Sequence, residues 1–345
     1  MAGQASGRPG DGTQQRGSQP IRHVGVCVDC SPVGDRIVPH AVALARAFGA
    51  KLTVLHALEP PHEGPNAPLT DALAWEVQRA DARRHLAAVE SEHSQAELLV
   101  AFEVLEGRPA EELRDWVDSN GVDVTVMCSH GSSGWTEWSL ASTARKLIEG
   151  ISGSILLVPA WSVQEPLKRK VTYDRILVLL DGSPRAESAL TPALSVARAH
   201  GSDLLLLHVV ARPECSCPGP IDEEERDLEQ RLVDHNTRVA ETYLHSVRKH
   251  VADGSVPVRT LVTVDGDVRS EILRRIAADH IDLVVLSGHG RGGRAELPFG
   301  SVAGFLLENA TAPLLVIREP NEHATRKRLR SDGPGGMRPP NLTVS

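Results

Sequence analysis

Short, nearly continuous runs of Val, Ile and Leu alternate with amphipathic segments of helical length through most of this chain. Continuous apolar runs are typical of strands that are buried on both faces of a parallel sheet. Strands that alternate with helices indicate right-handed β-α-β crossovers, with helices on both faces of the sheet. The pattern predicts ten strands, near residues 22–28, 51–57, 98–104, 122–128, 154–159, 174–180, 202–209, 258–263, 282–287 and 313–318.

The same order of elements occurs twice along the chain. Asp29, after the first strand, corresponds to Asp181 at an offset of 152 residues. Gly131, after the fourth strand, corresponds to Gly290 at an offset of 159 residues, which places a longer connection between the second and fourth strands of the second copy. We therefore predict two copies of one β-α-β-α-β-α-β-α-β unit.

Each copy is predicted to be a Rossmann-like α/β domain, a five-stranded parallel sheet with helices on both faces, for which we assume the strand order 3-2-1-4-5. The length of 345 residues fits two domains of about 150 residues each. In the second copy, one helix is predicted from Pro184 to just before Gly201. The predicted segments are a disordered lead at 1–20, domain 1 at 21–160, a linker at 161–173, domain 2 at 174–318 and a disordered basic tail at 319–345.

The composition narrows the class of protein. The formal net charge of −8 argues against nucleic acid as the main partner, because phosphate binding needs a basic face. No apolar run approaches the roughly 20 residues of a membrane helix, and the N-terminus lacks the apolar stretch of a secretory signal. Five cysteines, an odd number, indicate reduced thiols and a cytoplasmic protein. The basic cluster that starts at Arg326 is interpreted as a solvated tail, with nucleic acid or an anionic membrane as the alternative partner.

The residues that look least like core follow the first and fourth strands, where ligands bind in sheets of this kind. Asp29 and Asp181 follow the first strands, and an acid there is either a ligand contact or only a helix cap or turn former. After the fourth strand of the second copy, a glycine-rich stretch runs from Gly290 to Gly300 and Ser301, which open a helix. Glycines and a helix N-terminus offer backbone N–H groups to an anion, for which a phosphate chain is the natural candidate. The alternative is a flexible loop before a capped helix.

The spacing of these residues carries a resemblance. Ser287, two residues, Gly290, nine residues and then Gly300–Ser301 follow the fourth strand, and Asp181 follows the first. This arrangement resembles the ATP-binding branch of the universal stress protein family, whose pattern has glycine where this chain has Ser287. The resemblance covers nearly the whole chain and implies an adenine nucleotide alpha hydrolase-like fold with ATP as the ligand of the second copy.

The resemblance also implies roles for individual residues. Asp181 would hold adenine or ribose, and Val209, after the second strand, would contact adenine. Gly290 and Gly300 would admit the phosphates, and Ser301 would donate a hydrogen bond to one of them. The protein would need no metal of its own, although Mg²⁺ could accompany the nucleotide. The full predicted nucleotide site comprises Asp181, Gly182, Ser183, Val209, Ser287, His289, Gly290, Arg291, Gly300, Ser301 and Val302.

The first copy departs further from the family pattern. Cys128 and Ala141 replace two of its three glycines, and Trp135 and Trp138 add bulk to the loop between them. We therefore predict that the first copy binds ATP weakly or not at all and serves as a structural partner. The weaker counterparts of the nucleotide site are Asp29, Ala57, Gly131 and Ser142.

Three cysteines of the first copy are predicted to gather near its degraded site, together with His130. They are Cys27, Cys30 and Cys128. We interpret them as core thiols, because a C-x-x-C redox pair normally opens a helix instead of closing a strand; a thiol sensor or a soft-metal site is the alternative. Cys215 and Cys217 are assigned to a mobile loop, since C-x-C without a second pair is a weak metal motif.

The sequence shows no phosphate loop with its lysine, no nucleophile elbow and no zinc-ligand spacing. His56 and His208, which end the second strands, are interpreted as hydrogen-bonded, half-buried histidines, with a pocket role as the alternative. The preferred function is a nucleotide-binding regulatory protein of the stress response and not an enzyme. The alternatives are a nucleotide-free scaffold or interaction module and a slow ATPase or phosphotransferase.

The resemblance further implies how the copies assemble. They would pack on each other through their last strands, and a homodimer of the whole chain is compatible with that arrangement. ATP occupancy would change the glycine-rich loop and the helix after it, and a protein partner would recognise that surface.

Overall fold

The protein is described by a computed structural model that covers residues 20–60, 70–94, 98–129, 142–160, 170–213, 223–291 and 297–318. The predicted tail, the predicted lead up to residue 19 and residues 161–169 of the predicted linker lie outside these described residues. So do several residues that the sequence singles out, namely His130, Gly131, Trp135, Trp138, Ala141, Cys215 and Cys217.

The described part of the first copy alternates strands and helices as predicted. Its elements are β1 (His23–Cys27), α1 (Pro32–Asp35), α2 (Val38–Phe48), β2 (Lys51–Leu58), α3 (Thr70–His93), β3 (Val100–Glu106), α4 (Pro109–Ser119), β4 (Val124–Cys128), α5 (Ser142–Gly150) and β5 (Ser154–Val158). Each of the five predicted strands overlaps an observed strand.

The second copy repeats this order. Its elements are β6 (Arg175–Leu179), α6 (Pro184–Glu187), α7 (Leu190–His200), β7 (Asp203–Ala211), α8 (Glu223–Val251), β8 (Val258–Asp265), α9 (Val268–Ala278), β9 (Leu283–Ser287), α10 (Ser301–Asn309) and β10 (Leu314–Ile317). The longer α8 lies between the second and fourth strands, where the two sequence offsets require the extra residues.

One helix boundary corrects the sequence prediction. The single helix expected from Pro184 onward is divided into α6 and α7. Pro192 lies in the first turn of α7, and its ring would clash with the carbonyl of Ser188 four residues earlier, so one continuous helix cannot pass through this point. In the first copy, α1 likewise ends at Asp35, four residues before Pro39.

The ten strands form one continuous sheet in the order β3-β2-β1-β4-β5-β10-β9-β6-β7-β8. Within each copy the strands are parallel and follow the order 3-2-1-4-5, so the assumed order and the predicted fold class are confirmed. At the centre, β5 pairs antiparallel with β10, with Leu156 opposite Leu315. The order reverses beside β1 in the first copy and beside β6 in the second, which creates a crevice at the carboxyl ends of these strands.

Two apolar layers cover the sheet, and each is continuous across both copies. Leu156 and Leu315 belong to the layer beneath α2, α3, α7 and α8. Their chain neighbours Leu157 and Leu314 point to the opposite face and belong to the layer beneath α4, α5, α9 and α10. The two copies therefore share their core. Across the described ranges, every helix is either too short or too polar to cross a membrane.

Candidate functional site

The carboxyl ends of β6 and β9 border a cavity of about 440 Å³ on the side of the sheet that carries α9 and α10. This volume lies within the usual size of small-molecule sites, about 300–1,000 Å³. Most of the predicted site residues line it, and Gly182 and Ser183 do not. The predicted residues on its wall are Asp181, Val209, Ser287, His289, Gly290, Arg291, Gly300, Ser301 and Val302.

The two carboxylate oxygens of Asp181 have separate partners. Oδ1 accepts from the Ser183 backbone N–H at 2.9 Å and from the Ser183 hydroxyl at 2.6 Å. The Ser183 hydroxyl in turn accepts from the Ala186 N–H at 3.2 Å and caps α6. Oδ2 points the other way and accepts from the Arg291 backbone N–H at 2.6 Å. Asp181 is thus a turn former through one oxygen and faces the glycine-rich loop through the other, while Ser183 is a buried cap residue.

Hydrogen bonds determine the charge state of Asp181. Partial burial raises the pKa of this carboxyl, but the hydrogen bonds from Ser183 and from the Arg291 amide outweigh burial, and the pKa lies below its usual value. At neutral pH the cavity therefore carries a carboxylate at the tip of β6.

Gly182 lies beneath the side chain of Arg291. Its φ of +81° is in the left-handed region that favours glycine, and a Cβ there would stand 2.8 Å from Arg291 Nη2. The same Nη2 donates to the Asp181 carbonyl at 2.9 Å. Gly182 therefore allows the guanidinium to close over the strand tip, which is a role that the sequence did not indicate.

The two motif glycines differ in the space around them. A Cβ at Gly290 would collide with Asp181 Oδ2, so the close approach of loop and strand tip requires glycine. A Cβ at Gly300 would meet nothing closer than the Gly288 carbonyl at 3.6 Å. The Gly300 N–H donates to that carbonyl at 2.8 Å, and α10 begins at the next residue, Ser301. The N–H groups at the start of α10 thus border the cavity beside Gly290.

Ser287, where the family pattern has glycine, causes no backbone strain. The described non-glycine residues with positive φ are Cys30 and His280, so Ser287 keeps an ordinary strand conformation. It pairs with Ile317 at the end of β9 and lines the cavity without filling it. The β-carbon at this position is therefore tolerated by the folded chain.

An apolar floor completes the cavity, and sequence reasoning missed it. Leu179 and Leu207 lie two residues before Asp181 and Val209 on their strands and so face the same side. The remaining apolar wall comes from α9, from the end of β9 and from the segment before α10. These residues are Val268, Ile272, Leu286, Leu297 and Phe299. Strand alternation would have found the leucines, whereas the α9 residues depend on tertiary packing.

A second cavity of about 350 Å³ opens on the opposite face, beside α8. His208 and Tyr243 line it, and their rings are 6.4 Å apart at an angle of 69°. Burial, followed by the nearby Arg291 cation, lowers the pKa of His208, so this imidazole is neutral at pH 7. Asp181 and Arg291 line both cavities and form the boundary between them. His208 thus has the pocket position that was the alternative interpretation, whereas its counterpart His56 is buried with Nδ1 at 2.9 Å from the Val28 carbonyl.

Comparison with known families agrees with this architecture. The sequence model of the universal stress protein family matches residues 20–159 and 172–318, which is most of the chain. The chain belongs to the universal stress protein family. The resemblance read from the glycine spacing is thereby confirmed at the level of the family.

Relatives in the family match over the tandem length. A universal stress protein from Mycolicibacterium smegmatis is 26% identical over 307 residues, which is 85% of this chain and 96% of the relative. Another from Mycobacterium bovis is 25% identical over 322 residues, which is 88% of this chain and 99% of the relative. The solved structure of a universal stress protein from Archaeoglobus fulgidus aligns with a TM-score of 0.58 at 14% identity, covers 88% of this chain and 99% of that one, and supports the fold alone.

In the described residues, the first universal stress domain keeps the Asp-x-Ser turn of the second. Asp29 Oδ1 accepts from the Ser31 backbone N–H at 3.1 Å and from the Ser31 hydroxyl at 2.5 Å, as Asp181 does from Ser183. Cys30 occupies the position of Gly182 with a φ of 55°. Ala57 packs partly buried against the core, and the backbone of Ser142 opens α5, while Gly131 lies outside the described residues.

The cysteines of this domain behave as core thiols. Burial raises the pKa of Cys27 to about 12. Burial, with help from the Asp35 and Asp29 charges, raises the pKa of Cys30 to about 12 as well. The fraction of reactive thiolate at neutral pH is therefore very small. Within the described ranges, the side chains of His, Cys, Asp and Glu form no group of three or more that could hold a metal ion.

Proposed function

We propose that this universal stress protein binds ATP at its second domain as a regulatory ligand, and that its first domain binds ATP weakly or not at all. The observation that carries the proposal is the meeting of Asp181 and the glycine-rich loop across one cavity, where the Arg291 N–H reaches Asp181 Oδ2 at 2.6 Å. A carboxylate, an apolar floor and the N-terminus of α10 converge there, and these groups complement the parts of an adenosine phosphate.

Each part of the nucleotide has a matching wall. Leu207, Val209 and Ile272 offer an apolar surface to adenine. Asp181 Oδ2 is an acceptor for the amino or hydroxyl groups of the nucleoside, and it becomes available when the Arg291 amide moves away. The N-terminus of α10, at Ser301 and Val302, offers N–H groups and the positive end of its dipole to the phosphates. Mg²⁺ would be held by the phosphates and solvent.

A regulatory role follows from the contacts that hold the two ends of the loop. Arg291 satisfies Asp181 with its amide and covers the strand tip with its side chain. His289 Nε2 lies 2.8 Å from the Leu297 carbonyl and ties the two ends of the loop together. A nucleotide that displaces the Arg291 amide would change the loop and the start of α10, and a protein partner would read that change.

Catalysis is not part of this proposal. Among the described residues of the cavity wall, the titratable acid and imidazole are Asp181 and His289. We assign Asp181 to the strand-end turn and the nucleoside, and His289 to the contact with the Leu297 carbonyl that holds the loop, and we assign neither to the activation of water. The second candidate function is a nucleotide-free interaction module, which is favoured by the hydrogen bond from the Arg291 amide to Asp181 Oδ2, because this bond occupies the acceptor that a nucleoside would use.

Assembly and location complete the proposal. Because β5 and β10 pair with each other inside one chain, a homodimer of this protein would use another surface, and the strands at the sheet edges are β3 and β8. The thiols of Cys27 and Cys30, which form no disulfide within the described residues, suit a reducing cytoplasm.

The test compares two matched variants of the full chain, D181N and D29N. Each keeps the oxygen that forms the Asp-x-Ser turn and replaces the other oxygen by an amide nitrogen. Isothermal titration of nucleotide-stripped protein with ATP should show one site in the wild type, at least about tenfold weaker binding in D181N, and no change in D29N. Mass spectrometry of small molecules released from the purified protein checks for bound ATP or ADP. Loss of binding in D29N with normal binding in D181N would assign the nucleotide to the first domain, and no binding in the wild type would favour the interaction module.

A further inference from the structure

Arg318, the residue after β10, contacts both domains. Its backbone N–H donates to the Ser154 hydroxyl at 3.2 Å, and Nη1 donates to the Ile151 carbonyl, both in the first domain. Its other terminal nitrogen, Nη2, donates to the Pro298 carbonyl at 3.0 Å in the second domain. One guanidinium fork therefore joins the end of α5 to the segment that leads into α10.

The contacts of Arg318 in the second domain reach the wall of the candidate nucleotide cavity. Its guanidinium carbon lies 4.2 Å from the centroid of the Phe299 ring, which is a cation–π geometry. Its Cγ also lies 3.4 Å from the position that a Cβ of Gly288 would take. Phe299 and Gly288 line the cavity, and Phe299 directly precedes Gly300 at the start of α10. Arg318 thus packs behind the residues that place the α10 N-terminus.

The contact on the first domain is physically favourable. The Ile151 carbonyl follows the last turn of α5, where helix carbonyls lack partners within the helix and the dipole favours a cation. Burial lowers the pKa of Arg318 to about 10, which leaves the guanidinium charged at neutral pH. A planar fork can serve two carbonyls at once, whereas a lysine ammonium presents one compact charge.

The two-fold repeat of the chain is broken at this position. The offset of 159 residues aligns Arg318 with Pro159, which has neither a cation nor an N–H donor. The first domain therefore supports the loop of the second domain through this contact, and Pro159, at the matching position of the first domain, has no side chain that could form the reciprocal contact.

We infer that Arg318 is a positioning residue through which the first domain holds the α10 N-terminus of the second domain in an anion-binding geometry. The expected effect on ATP affinity rests on the proposed function, whereas the effect on the position of the α10 N-terminus does not. The inference assigns a function to the first domain, although two glycines of its own pattern are replaced. The end of its helix α5 fixes the loop of the second domain.

The test uses the full chain and the variants R318A, R318K and R145A. Arg145 is the matched control, because its Nη2 also bridges the domains, to Glu308 at 3.0 Å, but does not touch the segment before α10. Hydrogen–deuterium exchange of the nucleotide-free protein should show about tenfold faster exchange at residues 299–304 in R318A, an intermediate effect in R318K and none in R145A. ATP affinity should fall about tenfold in R318A and remain unchanged in R145A.

A second route covers the case in which R318A does not fold. F299L removes the ring beneath the guanidinium and leaves both carbonyl contacts, so it should speed exchange at the same residues. In a double-mutant cycle, F299L and R318K should be non-additive if they act through one contact. Additive effects, or equal exchange in R318A and R145A, would overturn the inference. Faster exchange in R318A together with no ATP binding in the wild type would uphold the positioning role and reject only the proposed function.

Discussion

Gly290 and Gly300 are both glycines of the family pattern, but the structure leaves room for a side chain at only one of these two positions. A Cβ at Gly290 would collide with Asp181 Oδ2, whereas the nearest heavy atom to a Cβ at Gly300 is 3.6 Å away. The φ of Gly300 is −71°, a value that alanine adopts freely. We therefore expect G290A to destabilise the second domain and G300A to be nearly neutral for folding.

The magnitude follows from the contact that G290A breaks. To admit the methyl group, Asp181 must move away from the Arg291 N–H, and a hydrogen bond to a charged group contributes about 1.5–3 kcal/mol. A loss of about 2 kcal/mol lowers the Tm of a domain of this size by about 4–8 °C. For G300A, the exchange of glycine for alanine at the cap of α10 should cost less than about 1 kcal/mol.

Calorimetry and urea unfolding measure the stability of each variant, and ATP titration measures its affinity. Both methyl groups lie beside the expected path of the phosphates, so both variants should bind ATP more weakly. The reasoning is refuted if G290A and G300A lose the same free energy of unfolding, or if G290A loses none.

Two further predictions concern the first domain. His40 Nδ1 is 2.9 Å from the Tyr173 hydroxyl, and burial lowers the pKa of this imidazole from 6.5 to about 4. Between these two pH values the unfolded chain binds a proton that the folded protein does not bind. The free energy of unfolding should therefore fall by about 3 kcal/mol from pH 6.5 to pH 4 and level off below pH 4. Urea unfolding across this range should show a weaker pH dependence in H40Q, and an equal dependence in both proteins would contradict the assignment. C30G relieves the left-handed φ of 55° at Cys30 but also removes a side chain that packs against the core, so the two effects oppose each other and the stability of the first domain should change by less than about 1 kcal/mol. The reciprocal variant G182C should destabilise the second domain by more than that, since its Cβ would also meet Arg291 Nη2 at 2.8 Å, and a stability gain in G182C would count against the backbone explanation.

The sequence determined the elements of this fold because their causes are local. Buried parallel strands appear as continuous apolar runs, and the repeat offsets located the longer α8 connection. The Asp-x-Ser turns at Asp29 and Asp181 depend on residues two positions apart, so the sequence could also predict a turn former there. Pro192 could have predicted the division between α6 and α7, because a proline inside a helical pattern interrupts the helix. The sequence prediction missed it because the apolar periodicity continues through the break.

The glycine spacing identified the family and predicted the region of the candidate site, but not the contacts that each residue makes there. Asp181 and Arg291 are 110 positions apart, and their contact exists only because β6 and β9 are neighbours in the sheet. That contact explains why Gly290 has no room for a side chain while Gly300 has room.

Only the tertiary structure could assign Arg318. As the first residue after a strand, it carries no local pattern that distinguishes it from any exposed arginine. Its partner Ile151 is 167 positions away and belongs to the other domain. The antiparallel pairing of β5 with β10 brings them together, and no local sequence pattern specifies the side chains that a strand will meet across that pairing. The periodicity of neighbouring residues thus determined the repeated fold, whereas contacts between distant strands decided the geometry of the site.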